Sequence, residues 1–464
     1  MGGGAHEVYA LPSWCVRRSF AAMALVRSIS TLSLVFILYF STSGGAFTTE
    51  TLVASVGPGM ALLILVLVPL VYSIPEVLLV GELASMLPEE GGYYRWVQRA
   101  FGPFWAFQNG WLTWMYSLVD MALYPKLFVT YLAYFAPSLP PSAVWGVGLL
   151  VIWGATALNL AGAGRVGRSS VLSGLFIIGG FLVLAVVAGG SATHVPWRPF
   201  GAPGSGGAKG LAVGLSIALW NYIGWDNAST VQGEVKDATQ SYPRALAIAL
   251  PLVIAGYLTP LTAALSATDW TTWHEGGWPQ IALAVGGRLG PVLAAWIAVA
   301  GMVSAVGLFN ALLLAYSRIP FVMATDGLLP AALARTDRRG TPRIAVLFAA
   351  VCYSLFMLLP FSGLVVADVL LYSLALMLEL ASLVALRARE PALRGAFRIP
   401  LGTRGVAALA ALPLAVLLLV VGLSFADGEY GLPAVVGAAV AIGLGPLSWA
   451  LATRHARRTA TDPA

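Results

Sequence analysis

Two short stretches carry chemistry that their surroundings lack. Ser41-Thr42-Ser43-Gly44-Gly45 and Asn221-Tyr222-Ile223-Gly224-Trp225-Asp226-Asn227 each place hydroxyls, amides and glycine inside an otherwise apolar run. Backbone that leaves helical pairing there exposes amide and carbonyl groups, which are ligands for ions and zwitterions. A half-helix starting near Gly45 would aim free N–H groups and a positive dipole end at a carboxylate. Half-helices ending near Phe40 and Asn221 would offer carbonyls to an ammonium group or bound cation, and a second positive end would start near Asn227. Each stretch alone is equally readable as a glycine kink in a continuous helix. Their occurrence at matching places favours two broken helices.

Carboxylates in the apolar runs are the next candidates. An ionisable group at the centre of a membrane helix costs roughly 2.5–3.5 kcal/mol, so each needs a partner or a cavity. Asp226 is either a counter-charge for a substrate amine or the N-cap of the following half-helix. Asp120 is a candidate for substrate or proton contact. Lys126, six residues on, is turned by about 240° and cannot lie beside it on one helix face, so Lys126 either takes part in coupling or snorkels outward. Glu76, after Pro75, suits proton-linked gating or bonding to backbone that the proline frees, and Glu82 suits a salt bridge at an inner gate. Asp368 and Glu379 are weaker candidates for the same roles.

Trp220, Tyr222 and Trp225 could cage an ammonium group, worth about 0.5–2 kcal/mol per ring face, or could simply pack. Ser304 and Asn310 could hold a cation against the first stretch or join helices. His6, His194, His274 and His455 all fall outside the apolar runs, so no histidine-based metal or acid–base site is expected within them. The polar residues do not assemble a nucleophile with its base, and no loop is long enough for a catalytic domain, which argues against an enzyme. Neither a metal nor an organic cofactor is expected. Gly162-Ala163-Gly164-Arg165-Val166-Gly167 fits a dinucleotide fingerprint without the strand it needs, and Asn227-Ala228-Ser229 is a glycosylation sequon inside an apolar run. Both are coincidences of spelling.

The elements that must hold these residues follow from composition. Of 464 residues 59% are hydrophobic and 10% charged, and the mean hydropathy is +0.83. Soluble domains carry about 25% charged residues, so this surface belongs in lipid. Twelve helical spans are expected, at about 28–55, 59–86, 103–135, 143–161, 169–190, 209–234, 243–266, 289–318, 343–360, 363–386, 405–425 and 431–453. With both termini in the cytoplasm, all 26 basic residues except Lys126, Arg198, Lys209 and Arg288 fall on the inner side, as the positive-inside rule requires. That placement accounts for the net charge of +6 without a nucleic-acid partner. Met1 to Phe20 has no continuous apolar core and is interrupted by Arg17 and Arg18, so residues 1–27 read as a cytoplasmic segment rather than a signal peptide. Two cysteines, Cys15 and Cys352, make no disulfide framework.

Gly44 and Gly224 are five spans apart, and an odd number of spans inverts the second unit relative to the first. The expected organisation is therefore a first repeat at 28–190, an extracellular loop at 191–208, an inverted second repeat at 209–386, an inner loop with two peripheral helices at 387–453, and a cytoplasmic tail at 454–464.

Several motifs occur in order along residues 28–400: Ser43-Gly44-Gly45, Pro75-Glu76, Gly81-Glu82-Leu83, Pro88-Glu89-Glu90-Gly91-Gly92-Tyr93-Tyr94, Tyr222 to Asp226, Gly233-Glu234-Val235, Tyr242-Pro243-Arg244-Ala245, and Ser317-Arg318 followed by Asp326-Gly327-Leu328-Leu329-Pro330. Together they resemble the amino acid–polyamine–organocation superfamily. Tyr72-Ser73-Ile74-Pro75-Glu76, Gly102-Pro103-Phe104-Trp105 and Asp120 through Tyr124-Pro125 are similar to the plant-type polyamine uptake permeases and their bacterial relatives. The resemblance implies an all-α LeuT-type fold and a secondary transporter of amino acids or polyamines, with its site between the first, third, sixth and eighth helices. It also implies proton coupling, with sodium the alternative, and residence in the cell membrane among lipid. Ser41 stands where the plant-type pattern has an acid, and Lys126 where it is usually apolar. A channel is the rival in another class, but the chain lacks rings of like charge and a repeated filter loop.

Overall fold

A computed structural model describes residues 25–203, 208–357, 364–426 and 432–461. Among them the chain is helical, and its β-pairing is a single parallel bridge between Ile29 and Val235. Among the described residues eight helices are long and apolar enough to cross a membrane. The protein is an integral membrane protein.

The first apolar run opens as α1 (Thr31–Thr42), where the Ser30 side chain accepts the Ser33 amide as an N-cap. The helix stops at Ser43, and the chain resumes as α2 (Thr49–Val56). Gly44, Gly45 and Thr48 between them have φ of +69°, +116° and +77°, a left-handed path that a continuous helix cannot follow. Next come α3 (Pro58–Met86), α4 (Tyr93–Phe101), α5 (Pro103–Leu132), α6 (Pro141–Leu160) and α7 (Ala163–Gly190). Proline at the first position starts α3, α5 and α6, where its missing N–H has no partner to lose. Inside α3, Pro69 withholds an amide, and the helix loosens to a π-helical turn over Pro69–Ser73 before recovering at Ile74.

α8 (Ala208–Trp220) ends in the second polar stretch, and beyond it lies a 3₁₀ helix, Asn227–Glu234. The second break is thus real, although its far side is a tighter helix than the α-helix expected. α9 (Ala238–Ala267), a short α10 (Trp278–Val285), α11 (Gly290–Tyr316), α12 (Arg318–Thr325), α13 (Arg343–Phe356), α14 (Leu364–Arg389), α15 (Thr403–Ala426) and α16 (Leu432–Thr461) complete the chain. Several helices outrun the apolar spans. α7 begins at Ala163, α9 at Ala238, and α16 continues to Thr461, so Arg165, Arg168, Arg244 and Arg454 sit on helix ends rather than in loops. Hydropathy marks the slab, whereas hydrogen bonding continues into the polar layer.

α11 lies at the centre, packed on α5, α7, α6 and α1, while α9 closes over α7, α1 and α3. α14 rests on α4, α5, α15 and α16. Leu418, Leu419, Leu447 and Leu451 on α15 and α16 remain exposed, as residues facing lipid do.

Candidate functional site

The two breaks meet backbone to backbone. Gly224 has φ of +101°, and a Cβ there would overlap the Ser41 carbonyl oxygen. Glycine is required on both counts. Thr48 Oγ1 donates to Asn221 Oδ1 across the junction at 3.1 Å. Ser304 on α11 donates to the Gly44 carbonyl at 2.7 Å, so it fixes the first break to α11.

Beside this junction lies a cavity of roughly 440 Å³ including its mouth, lined by Ser41, Thr42 and Ser43 of the first break and by Trp220, Ile223, Gly224 and Asn227 of the second. α5 adds Tyr116, Asp120 and Tyr124, α11 adds Leu308, Leu312 and Tyr316, and α14 adds Tyr372. Asp120 is the only charged side chain in this lining. Its two oxygens accept separate phenols, Tyr124 at 2.7 Å and Tyr316 at 3.1 Å. Tyr116 packs edge-on against both Tyr316 and Tyr372 and donates to Asn227.

A second acidic group lies behind Tyr372, outside the cavity lining. Glu76, Asp226 and Glu379 are each at most 1% exposed. The Tyr372 hydroxyl faces Asp226 Oδ1 at 3.3 Å and Glu76 Oε1 at 3.5 Å, and it accepts the Gly224 amide at 3.2 Å. Asp226 and Glu379 are within hydrogen-bonding reach of each other. Asn109 Nδ2 donates to Glu379 at 3.0 Å, whereas Glu76 Oε2 and Glu379 Oε2 have no partner.

The sequence candidates therefore separate. Ser41, Ser43, Gly44, Gly45, Gly224, Asp120 and Trp220 gather at the junction and cavity. Asp226 makes no side-chain cap to the 3₁₀ helix and turns instead to Tyr372 and Glu379, which corrects the capping alternative. Tyr222 and Trp225 are fully buried and line no part of the cavity, so neither cages a ligand here. Tyr222 donates to the Leu65 carbonyl. Glu76 faces Tyr372 rather than freed backbone. Asn310 bonds Asn159 and joins α11 to α6 rather than holding anything against the first break. Lys126 is exposed and does not reach the cavity. Asp368 lies where side chains fall outside the described residues, as do the calls on residues 1–24 and on Arg457 and Arg458.

The free amides expected at the first break are partly spoken for. Gly44 N–H bonds the Tyr39 carbonyl and Gly45 N–H bonds Ser43 Oγ. The Asn221 carbonyl accepts the Tyr257 hydroxyl at 2.7 Å.

At the end of the bundle where α1 begins, buried ion pairs tie elements together. Glu82 pairs with Arg387 and also accepts the Ile399 amide, as its position near the end of α3 suggests. Arg318, fully buried, pairs with Glu234 at 2.6 Å and approaches Glu90 at 3.7 Å. Arg95 pairs with Asp326 at 2.8 Å. Sequence reasoning missed the partners of Asp120 and the bridging Tyr372. Tyr124 was findable as the i+4 neighbour of Asp120, but Tyr316 and Tyr372 sit on other helices with no local signal.

The family model for amino acid permease matches residues 29–441. A polyamine transporter of Oryza sativa subsp. japonica is 34% identical over 403 residues, which is 86% of this chain and 74% of that one. A polyamine transporter of Arabidopsis thaliana is 35% identical over 424 residues, 90% of this chain and 84% of its own. Match and motifs agree along nearly the whole length, and the chain belongs to the amino acid permease family, within the amino acid–polyamine–organocation superfamily.

Proposed function

We propose that the protein is a proton-coupled polyamine transporter working by alternating access. Twelve membrane helices would be arranged as a LeuT-type five-plus-five inverted repeat, with both termini cytoplasmic in the cell membrane. One observation carries the substrate class: Asp120 is the single charged group facing the cavity, and it stands among tyrosines. A carboxylate flanked by aromatic faces suits an ammonium group. An amino-acid carboxylate would find the Gly44 and Gly45 amides already bonded. The relatives named polyamine transporters support the same choice.

The sealed acids supply the coupling. Among these three carboxyls Glu76 Oε2 and Glu379 Oε2 lack a hydrogen-bond donor, and a proton is the missing donor that such a group takes up and gives back. Tyr372 touches both the cavity and this group, so it can relay the occupancy of one to the other. The ion pairs of Glu82, Glu234 and Asp326 would form the inner gate, broken when the bundle rocks.

Uptake of radiolabelled putrescine by proteoliposomes under an imposed pH gradient tests this reading. Saturable, gradient-driven accumulation is expected. Accumulation of neutral amino acids alone would replace the substrate, a sodium requirement at constant pH would replace the coupling ion, and flux that neither saturates nor runs uphill would indicate a channel.

A further inference from the structure

A second concavity, about 480 Å³, lies on the outer face of the bundle between α5, α12, α13 and α16. No charged side chain lines it. Its walls include Trp111 and Trp114 of α5, Met323 of α12, Phe348 of α13, and Leu451 and Ala452 of α16. Trp114 stacks on Phe348 with ring centres 5.3 Å apart, which makes a flat apolar wall. The α5 part of the groove begins about 6 Å and ends about 17 Å from the start of that helix at Pro103, at 1.5 Å per residue. Exposed Trp105 stands near the same end, where tryptophan marks the membrane interface. The groove therefore opens at acyl-chain depth.

Its rim at that end is basic. Arg454 is exposed and lies three residues, nearly one helical turn, beyond Leu451. Arg335 is exposed five residues beyond Pro330, which itself lines the groove, across the single 3₁₀ turn Ala331–Ala334. Arg338, Arg339 and Arg343 follow, and the acid among them, Asp337, is paired with Arg343 at 2.8 Å.

The geometry points to a binding site for an anionic phospholipid, with one acyl chain in the groove and the headgroup phosphate on the Arg335 and Arg454 rim. Juxtamembrane arginines attract anionic headgroups, and the apolar walls take the chain. A second copy of this chain is the poorer occupant, because a two-fold contact brings like surfaces together and would face this cationic rim with its own image. An acyl chain here presses on α12, whose first residue is the buried Arg318. Lipid occupancy would then bear on the Arg318–Glu234 pair.

The test uses the full chain purified in neutral detergent, with thermal unfolding followed during titration with phosphatidylglycerol, phosphatidylcholine or glycerol phosphate. Phosphatidylglycerol should raise the melting temperature saturably, and the other two should not. The double variant Arg335→Ala/Arg454→Ala should weaken the apparent affinity roughly 30-fold, about tenfold or less per arginine, and should melt like the parent without lipid. Ala452→Trp, which fills the groove, should abolish the shift. If that variant does not fold, the arginine pair decides alone. Equal shifts with phosphatidylcholine, a shift with glycerol phosphate, an unchanged affinity in the arginine variant, or a dimer of the parent that occupies the groove would each overturn the assignment.

Discussion

Asp120 and the Glu76–Asp226–Glu379 group are acids buried in the middle of one bundle, and Tyr372 stands between them. Asp120 borders a cavity and has both oxygens satisfied by phenols. The other three do not line that cavity, and two of their oxygens lack a hydrogen-bond partner. On the proposed function, a satisfied carboxylate at a cavity would meet a ligand that arrives with its own donors. A group of three with two unpartnered oxygens would take the smallest donor there is, a proton. On that proposal the difference in solvation, rather than any difference in residue type, would divide the labour.

That division can be attacked from both sides. The largest effect is expected from Asp120→Asn: putrescine kcat/KM should fall roughly 10- to 100-fold, the loss of a hydrogen bond to a charged partner. Radiotracer uptake checks this, and an equal loss for any neutral substrate carried would erase the contrast. Glu379→Gln or Asp226→Asn should come next, lowering pH-gradient-driven accumulation by about tenfold while substrate exchange at equal pH stays within about threefold of the parent. Parallel loss of both activities would return these acids to a structural role. Tyr372→Phe should be milder, about fivefold on driven accumulation, as one neutral hydrogen bond is worth about 1 kcal/mol. A flattened pH profile would mark it as the relay, and an unchanged profile would remove it from that role. Ser304→Ala should cost about 1 kcal/mol of stability, read as a shift of a few degrees in thermal melting. It should leave the ratio of driven uptake to exchange where it was.

What the sequence disclosed followed the range over which each signal acts. Both breaks were legible because glycine and polar residues interrupt runs whose apolar character is otherwise required locally, as at Gly44 and Gly224. Asp120, Glu76 and Glu82 stood out because a carboxylate in such a run always needs a reason. The pairing of those acids was not legible. Tyr372 is 146 residues from Asp226 and 296 from Glu76, and only the packing of α14 against α3 and the second break brings them together. Aromatic residues misled for the related reason that composition does not reveal direction. Trp220 faces the cavity, while Tyr222 and Trp225, two and five residues on, are buried in neighbouring helices. The 3₁₀ path of 227–234 was hidden because its residues suit an α-helix nearly as well.

The contact between Gly224 and the Ser41 carbonyl has a mechanical consequence. Two helices interrupted separately would give a transporter four loose ends, each able to drift on its own. Here the interruptions are pressed together with no side chain between them, stitched by Thr48 and Asn221 and pinned by Ser304. So joined, they would move as a single axle rather than as two joints. Any rotation that carries α1 must carry α8 with it, so the opening of one mouth and the closing of the other become strokes of one lever.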